Sequence, residues 1–347
     1  MTSPIPSSPK PGASAAEAPI GHGGDLGAAR ALFPGAPEPI VDLSTGVNPH
    51  PYPIAAVASE DFARLPEPVR LAGLVDRAAA FYGAPSAEHV VAAPGGQILM
   101  ALIADLSPKG EAAILGPTYA EHARVTAFAG HDVETVSAVN RLGAAPLAIV
   151  VNPNNPDGRL LPRAALLAIA ERQKAHGGLL VVDEAFMDAE PDESVGGDVE
   201  SANIVVLRSF GKFFGLAGLR LSFALSGREL AARLRARLGP WPVSGPALAI
   251  GAAALSDRAW IEKTREDLRA SSGRLGALLR RSGLEIVGRT GLFCLARSPD
   301  AQGVFGRLGE AGVFVRRFDE DRHLLRFGLP GTEIEWKRLE DALRTPA

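Results

Sequence analysis

The chain predicts an α/β fold, a mostly parallel sheet with helices on both faces, joined to a smaller α+β part. Three observations carry this. From residue 90 to 226, short apolar runs alternate with stretches of helical period, the order expected of a parallel sheet built from crossover units. Runs such as LAIVV and LLVVD lack the in-out alternation of a half-exposed strand, so they read as strands covered on both sides. The pattern then stops at GPWPVSGP, a break rich in proline and glycine, and a second αβ pattern follows it.

In order, residues 1–19 (MTSPIPSSPKPGASAAEAP) are rich in Pro, Ser and Ala and lack the apolar run of a secretory signal, so a disordered tail is expected. VVAA is a short strand, after which Gly95 and Gly96 open an amphipathic helix near 96–106. Strands are expected near 111–115, 132–136, 146–152, 178–183, 203–207 and 221–225, with helices near 119–129 and 162–176. RELAARLRARL then reads as an ordinary amphipathic helix near 227–238. Beyond the break come a long helical region over 247–282, an apolar strand GLFCLAR, and, within 312–330, two short strands joined by an acidic turn. Trp241, Pro242, Val243 and Ser244 at the break either line a site or form a hinge with a core tryptophan.

Composition narrows the function. With 347 residues, 46% of them hydrophobic, the chain can bury one or two cores. A formal charge of −3 and no basic block with interleaved aromatics argue against nucleic acid. The seven histidines show no metal-ligand spacing, so no metal is expected, and His89, His131 and His176 fall near element ends, where solvent exposure is expected. The single cysteine, Cys294, excludes an internal disulfide and lies in an apolar strand, as a buried structural thiol would. Apolar stretches fall short of the roughly 18–20 residues that span a bilayer, so no membrane partner and a cytoplasmic location are expected.

The chemistry concentrates in VVLRSFGKFFGLAGLR, residues 205–220. Lys212 follows a strand, among small residues and beside Ser209 and Arg220, a hydroxyl and a forked cation suited to phosphate. A lysine becomes nucleophilic when an apolar pocket or a nearby cation lowers its pKa. Asp183 ends the buried strand of LLVVDEAFMD, at the edge where ligands of open α/β sheets collect. Asn155 stands in the Pro/Asn turn of LAIVVNPNNPDG. Main-chain N–H groups at Gly95, Gly96 and Gln97 make an anion site at a helix start. Taken singly, each has a plain structural reading: a surface lysine, a strand-end cap, a turn.

Together, G-G-Q, N-P-N-N-P, D-E-A-F and S-F-G-K with an arginine eight residues on resemble the fold-type I pyridoxal-phosphate enzymes, over residues 20–345. Within them the resemblance is to the histidinol-phosphate aminotransferase group and its relatives, the threonine-phosphate decarboxylases of cobalamin biosynthesis. It implies pyridoxal 5'-phosphate as cofactor: Lys212 bound to it, Asp183 on the ring nitrogen, Asn155 on the ring oxygen, Tyr119 stacked on the ring, and Gly95, Gly96, Gln97, Ser209 and Arg220 around its phosphate. It also implies a homodimer with a shared cleft, an amino-terminal segment (20–45) that joins a small domain (239–347), and a large cofactor domain (46–238).

Three departures from the aminotransferase pattern lean toward the decarboxylases. Phe186 replaces the tyrosine of D-E-A-Y, Leu65-Pro66-Glu67 replaces Y-P-D, and His22-Gly23-Gly24-Asp25 precedes DLSTGVNPHPYP as an HGG motif does in that group. By the same resemblance Arg326 binds a substrate carboxylate, and Arg316, with Arg317 beside it, a substrate phosphate, joined by His22, Gly23 and Gly24. The plain alternative makes these arginines exposed partners of Asp319, Glu320 or Asp321, contacts that contribute little. The expectation is decarboxylation of L-threonine O-3-phosphate, with transamination of histidinol phosphate or a related amino acid as the alternative. A non-enzymatic cofactor-binding module would call for a fused domain or a lost lysine.

Overall fold

The computed structural model describes residues 22–344; the tail expected over 1–19 lies outside them. Twelve strands among these residues, β1 (Val41–Leu43), β2 (Val90–Ala93), β3 (Glu111–Leu115), β4 (Asp132–Val136), β5 (Leu147–Val151), β6 (Leu179–Asp183), β7 (Ile204–Ser209), β8 (Ser222–Leu225), β9 (Glu285–Arg289), β10 (Phe293–Arg297), β11 (Val313–Arg317) and β12 (Leu324–Gly328), form two sheets.

The larger sheet has the order β2-β8-β7-β6-β5-β3-β4. Its pairings from β7 through β6, β5 and β3 to β4 are parallel, while β8 runs antiparallel to both β7 and β2. Successive residues of these strands enter different cores: Val90, Ala113, Val150, Val182 and Val206 one, Val91, Ile114, Ile149, Val181 and Val205 the other. That division is the physical content of the unbroken apolar runs, because a period of two places neighbours on opposite faces and both faces are covered. The helices Gly96–Leu106, Glu121–Phe128, Arg163–Lys174 and Arg228–Leu238 lie where the sequence puts them.

The smaller sheet has the order β1-β11-β12-β10-β9. Its first strand, only three residues long, pairs parallel with β11 across some 270 positions of sequence, Val41 opposite Val313. Such a strand carries too few residues to show a period, which is why the sequence reading omits it. The region 247–282 is two helices, Gly245–Ser256 and Arg258–Arg281, because Asp257 leaves helical geometry and accepts the main-chain N–H of Trp260 at 3.1 Å, capping the second.

Three expectations about single side chains change. His89 is buried, not at the surface: Nε2 lies 2.6 Å from Glu200 Oε2 and Nδ1 3.0 Å from Ser86 Oγ. His131 is buried too, its Nε2 2.8 Å from the Ala104 carbonyl, while His176 is exposed as expected. Both buried rings stand just before a strand, where a ring nitrogen meets a carboxylate (His89) or a helix-end carbonyl (His131). Trp241 is 54% exposed and is no core residue. Cys294 is buried as expected, and burial pushes its thiol up to about 11.

Behind the ends of β6 and β7, Arg208 is fully enclosed with Glu184 and Asp188, donating to both, and its guanidinium lies 4.5 Å from the centre of the Tyr82 ring. Burial raises both carboxyl pKa values and Arg208 opposes the rise. Removing the cation strands two buried carboxylates. Arg208→Met should therefore lower the unfolding free energy by about 3–5 kcal/mol, measured by chemical denaturation; a loss below about 1 kcal/mol would show the group to be solvated.

Candidate active site

The carboxyl ends of β5, β6 and β7 open onto one cleft, the place where open α/β sheets bind ligands. Lys212 sits there on the short helix Phe210–Phe213 that follows β7 directly. Its backbone is pinned by the segment before residue 53: Asn48 N donates to the Lys212 carbonyl at 2.9 Å, Asn48 Nδ2 to that of Phe213 at 2.9 Å, and Tyr52 N to that of Phe214 at 2.8 Å. Beneath it Phe210, Phe213 and Phe214 are fully buried. Burial lowers the Lys212 pKa to about 8, helped by the positive charges of Arg326 and Arg220 and opposed by Asp183. The Phe186 ring, 5.6 Å from Nζ, adds an apolar wall without a hydroxyl.

Asp183 closes β6 with both oxygens engaged. Oδ1 accepts the N–H of Ala185 at 3.0 Å, and Oδ2 lies 2.8 Å from His122 Nε2. His122 is buried, in the first turn of the helix Glu121–Phe128, and its ring stands edge-on to Tyr119, 6.1 Å between centres. Burial, with Glu121 and Asp183, pushes the Tyr119 phenol up to about 12, so it stays neutral. The sequence reading missed His122. A signal existed, since three residues from Tyr119 at a helix start put both side chains on one side.

Groups that could hold an anion lie across the cleft. Gly95, at φ +101°, precedes the helix Gly96–Leu106, whose first turn has no side-chain cap, so its N–H groups are open to a ligand. A Cβ on Gly95 would overlap the Arg220 guanidinium, so glycine is what lets that cation lie against the backbone. Arg220 itself adopts φ +55°, a left-handed conformation uncommon for such a residue and frequent at ligand sites. Ser209 on β7 faces Ser222 on β8, and Ser222 Oγ lies 3.7 Å from where a Gly96 Cβ would stand. Ser222 is a second residue the sequence reading missed. The Gln97 side chain donates to Glu121, which leaves its main-chain N–H as its contribution to the cradle.

Two arginines complete the cleft from the smaller sheet. Arg316 and Arg326 are directly opposed on β11 and β12, and opposed residues share a face. Arg317 is exposed, with its guanidinium 5.0 Å from the Phe305 ring, and so belongs to the other face. Arg326 is only 7% exposed: Nη1 donates to Asn155 Oδ1, Nη2 to the Ser44 carbonyl at 2.7 Å, and Nε has no partner among the described residues. Burial and then Arg316 bring its pKa down to about 10.

The HGG segment reaches the same place. Gly24 N donates to Ser44 Oγ at 2.7 Å, and a Cβ on Gly23 would overlap the Ser44 carbonyl that Arg326 uses. His22 Nε2 lies 3.3 Å from Glu121 Oε1, with its ring 5.8 Å from that of Tyr119. The contacts thus bring His22, Gly23 and Gly24 to the neighbourhood of Arg326, Tyr119 and Gln97, with Asn48, Ser44, His122 and Ser222 added by the structure and Arg317 left outside.

A sequence model of the family described as aminotransferase class I and II matches residues 38–343. The chain belongs to this family. A threonine-phosphate decarboxylase of Sinorhizobium sp. is 45% identical over 330 residues, covering 94% of this chain and 98% of that protein. A second protein of that name, from Pseudomonas aeruginosa, is 40% identical over 325 residues, covering 93% and 96%. Among solved structures, histidinol-phosphate aminotransferase from Sinorhizobium meliloti in complex with pyridoxal-5'-phosphate superposes with a TM-score of 0.75 at 21% identity, covering 97% of each chain.

The site thus brings together an amine of lowered pKa, a carboxylate with both oxygens engaged, main-chain N–H groups that could hold an anion, and two arginines. The amine gives a direct test. Capture of Lys212 by an aromatic aldehyde and cyanoborohydride, read by peptide mass, should rise with pH through about 8 and level off above it, because the amine is protonated below that value and free above it. A half-rise near 10 would mean that the pocket does not lower it.

Proposed function

We propose that this protein is a pyridoxal-phosphate-dependent decarboxylase that converts L-threonine O-3-phosphate to (R)-1-amino-2-propanol O-2-phosphate, an intermediate of cobalamin biosynthesis. The observation that carries the reading is identity of 40–45% to two threonine-phosphate decarboxylases over nearly the whole of each chain. The Arg316–Arg326 pair supports it, since a substrate with a carboxylate and a phosphate asks for two separate cations.

The residues present fit the cofactor. The Gly95–Arg220 approach that a Cβ would fill, the lowered pKa of Lys212 and the carboxylate of Asp183 match a phosphate, an aldehyde and a ring nitrogen in turn. Lys212 would hold the aldehyde carbon, Asp183 the protonated ring nitrogen, Asn155 the ring oxygen through its Nδ2, and Tyr119 one ring face. Gly95, Gly96, Gln97, Ser209 and Arg220 would hold the phosphate, with Ser222. When bound, the cofactor supplies an electron sink conjugated to the substrate Cα.

The chain's own residues then decide what that sink does. Arg326 would hold the α-carboxylate with its planar guanidinium and so orient the bonds at the substrate Cα. Arg316, with His22, Gly23 and Gly24, holds the substrate phosphate. The Lys212 amine would be the group that holds or moves a proton at the substrate Cα. Phe186 places an apolar ring beside Lys212 where a tyrosine would bring a hydroxyl.

The reading includes a homodimer. Phe62 (73%), Leu65 (66%), Val69 (72%) and Trp241 (54%) are large apolar side chains left open, the kind of surface a second copy covers. It includes a cytoplasmic location, where charged phosphorylated metabolites are retained. It also divides the chain into a cofactor-holding part (46–238) and a smaller part in which residues 20–45 join 239–347, supported by the pairing of β1 with β11.

Loaded protein incubated with L-threonine O-3-phosphate and no ketoacid should release CO₂ and aminopropanol phosphate; turnover of histidinol phosphate only with 2-oxoglutarate would make it an aminotransferase. Lys212→Ala should lose both turnover and the visible absorbance of lysine-bound cofactor, and full activity in that variant would sink the reading. Arg326→Ala should weaken amino acid binding about 10- to 100-fold with cofactor binding nearly unchanged, whereas equal losses in both would remove the carboxylate role.

A further inference from the structure

The loops that follow β3 and β5 are neighbours, because those two strands pair side by side in the larger sheet. Each brings one group to the cleft, Tyr119 from the first loop and Asn155 from the second. Between them stands Asn154, which is fully buried although its side chain is polar. Its Oδ1 accepts the Thr118 hydroxyl at 2.6 Å, and its Nδ2 donates to the Pro117 carbonyl at 2.9 Å and to Asp157 Oδ1 at 2.7 Å. Its main chain closes the turn, the N–H donating to the Arg159 carbonyl and the carbonyl accepting Gly158 N, both at 2.8 Å.

The carboxamide fits one way only. A carbonyl and a carboxylate accept and do not donate, so they fix Nδ2 on their side and leave Oδ1 to the hydroxyl. A flipped amide would set its oxygen against two acceptors. Among the described residues, the side-chain hydrogen bonds between the two loops come from Asn154, at 2.6 and 2.9 Å, and from Arg159, which reaches the Gly116 and Leu115 carbonyls at 3.4 Å. We propose that Asn154, with Thr118 as its partner, is a positioning residue that fixes Tyr119 and Asn155 relative to each other, and so sets how the cofactor ring is held at its face and at its oxygen.

The argument is one of adjacency. Thr118 adjoins Tyr119 and Asn154 adjoins Asn155, so the bond between Thr118 and Asn154 spans the loops one residue from each cleft group. The far side of the turn is held as well. Arg326 donates to Asn155 Oδ1, and a Cβ on Gly288 of β9 would overlap the Asp157 carbonyl. A buried network whose members are paired holds a single arrangement, which two loops joined by main chain alone would not. The inference rests on the cofactor placement given above.

The test reads the cofactor before any substrate is added. The visible band of the lysine-bound cofactor titrates with pH, and a donor at the ring oxygen lowers the midpoint by favouring the form that keeps negative charge there. Thr118→Val keeps the size of the side chain and removes the donor to Asn154, Thr118→Ser keeps the donor, and Asn154→Ala removes the whole amide. In cofactor-loaded protein the valine variant should raise the midpoint by about half a pH unit, a part of what one hydrogen bond supplies. Asn154→Ala should raise it further, and Thr118→Ser should leave it in place. A bond that only stabilises the fold would lower the unfolding temperature of Thr118→Val and leave the titration unmoved; that result overturns the proposal, as does an equal shift in the valine and serine variants. If Asn154→Ala fails to fold, the two threonine variants decide alone. A shifted midpoint in a protein inert toward threonine phosphate would defeat the functional proposal and leave this one standing.

Discussion

The cleft depends on keeping one amine poor in protons while surrounding it with charge. Lys212 is half-buried and largely desolvated, and Arg326 and Arg220 add to the cost of its ionisation while Asp183 reduces it, with a pKa near 8 as the balance. Had Asp183 faced Lys212 alone, the pair would form a buried salt bridge and the lysine would remain charged. Both Asp183 oxygens are instead committed, to Ala185 N and His122, which tempers its pull. The amine's reactivity is therefore set by groups that do not touch it.

A second constraint ties the two sheets together. Arg326, on the smaller sheet, donates to Asn155 in the turn that follows β5 of the larger one and to the carbonyl of Ser44 just after β1. Ser44 also receives Gly24 through its hydroxyl, and that hydroxyl donates to Asp42 at 2.6 Å. One serine thus anchors the HGG segment and half the fork of the arginine. The three-residue strand β1 acquires its importance here, because its pairing with β11 carries Ser44 to the arginine.

Much of this was legible in one dimension. The unbroken apolar runs of β5 and β6 declared a sheet covered on both faces, and Asp183, Ser209 and Lys212 fall just at or after strand ends, where ligands gather. Partners remote in sequence were not legible. Asn48 meets Lys212 across 164 positions, and Ser222 completes the cradle only because β8 runs antiparallel to β7. His89 and His131 were misread for the same reason, as a loop residue's burial depends on what roofs it.

By itself the sequence determined the elements and the inventory of reactive groups, because periodicity and residue chemistry are local. Only the tertiary structure decided which of two adjacent arginines faces the cleft, since that depends on the register of β11 against β12, where a shift of one residue turns Arg316 out and Arg317 in. It alone brought the Arg326 guanidinium to Lys212 as well, because burial and the field of a group 114 positions away are properties of the packed chain, whereas Arg220 was already beside it in the sequence.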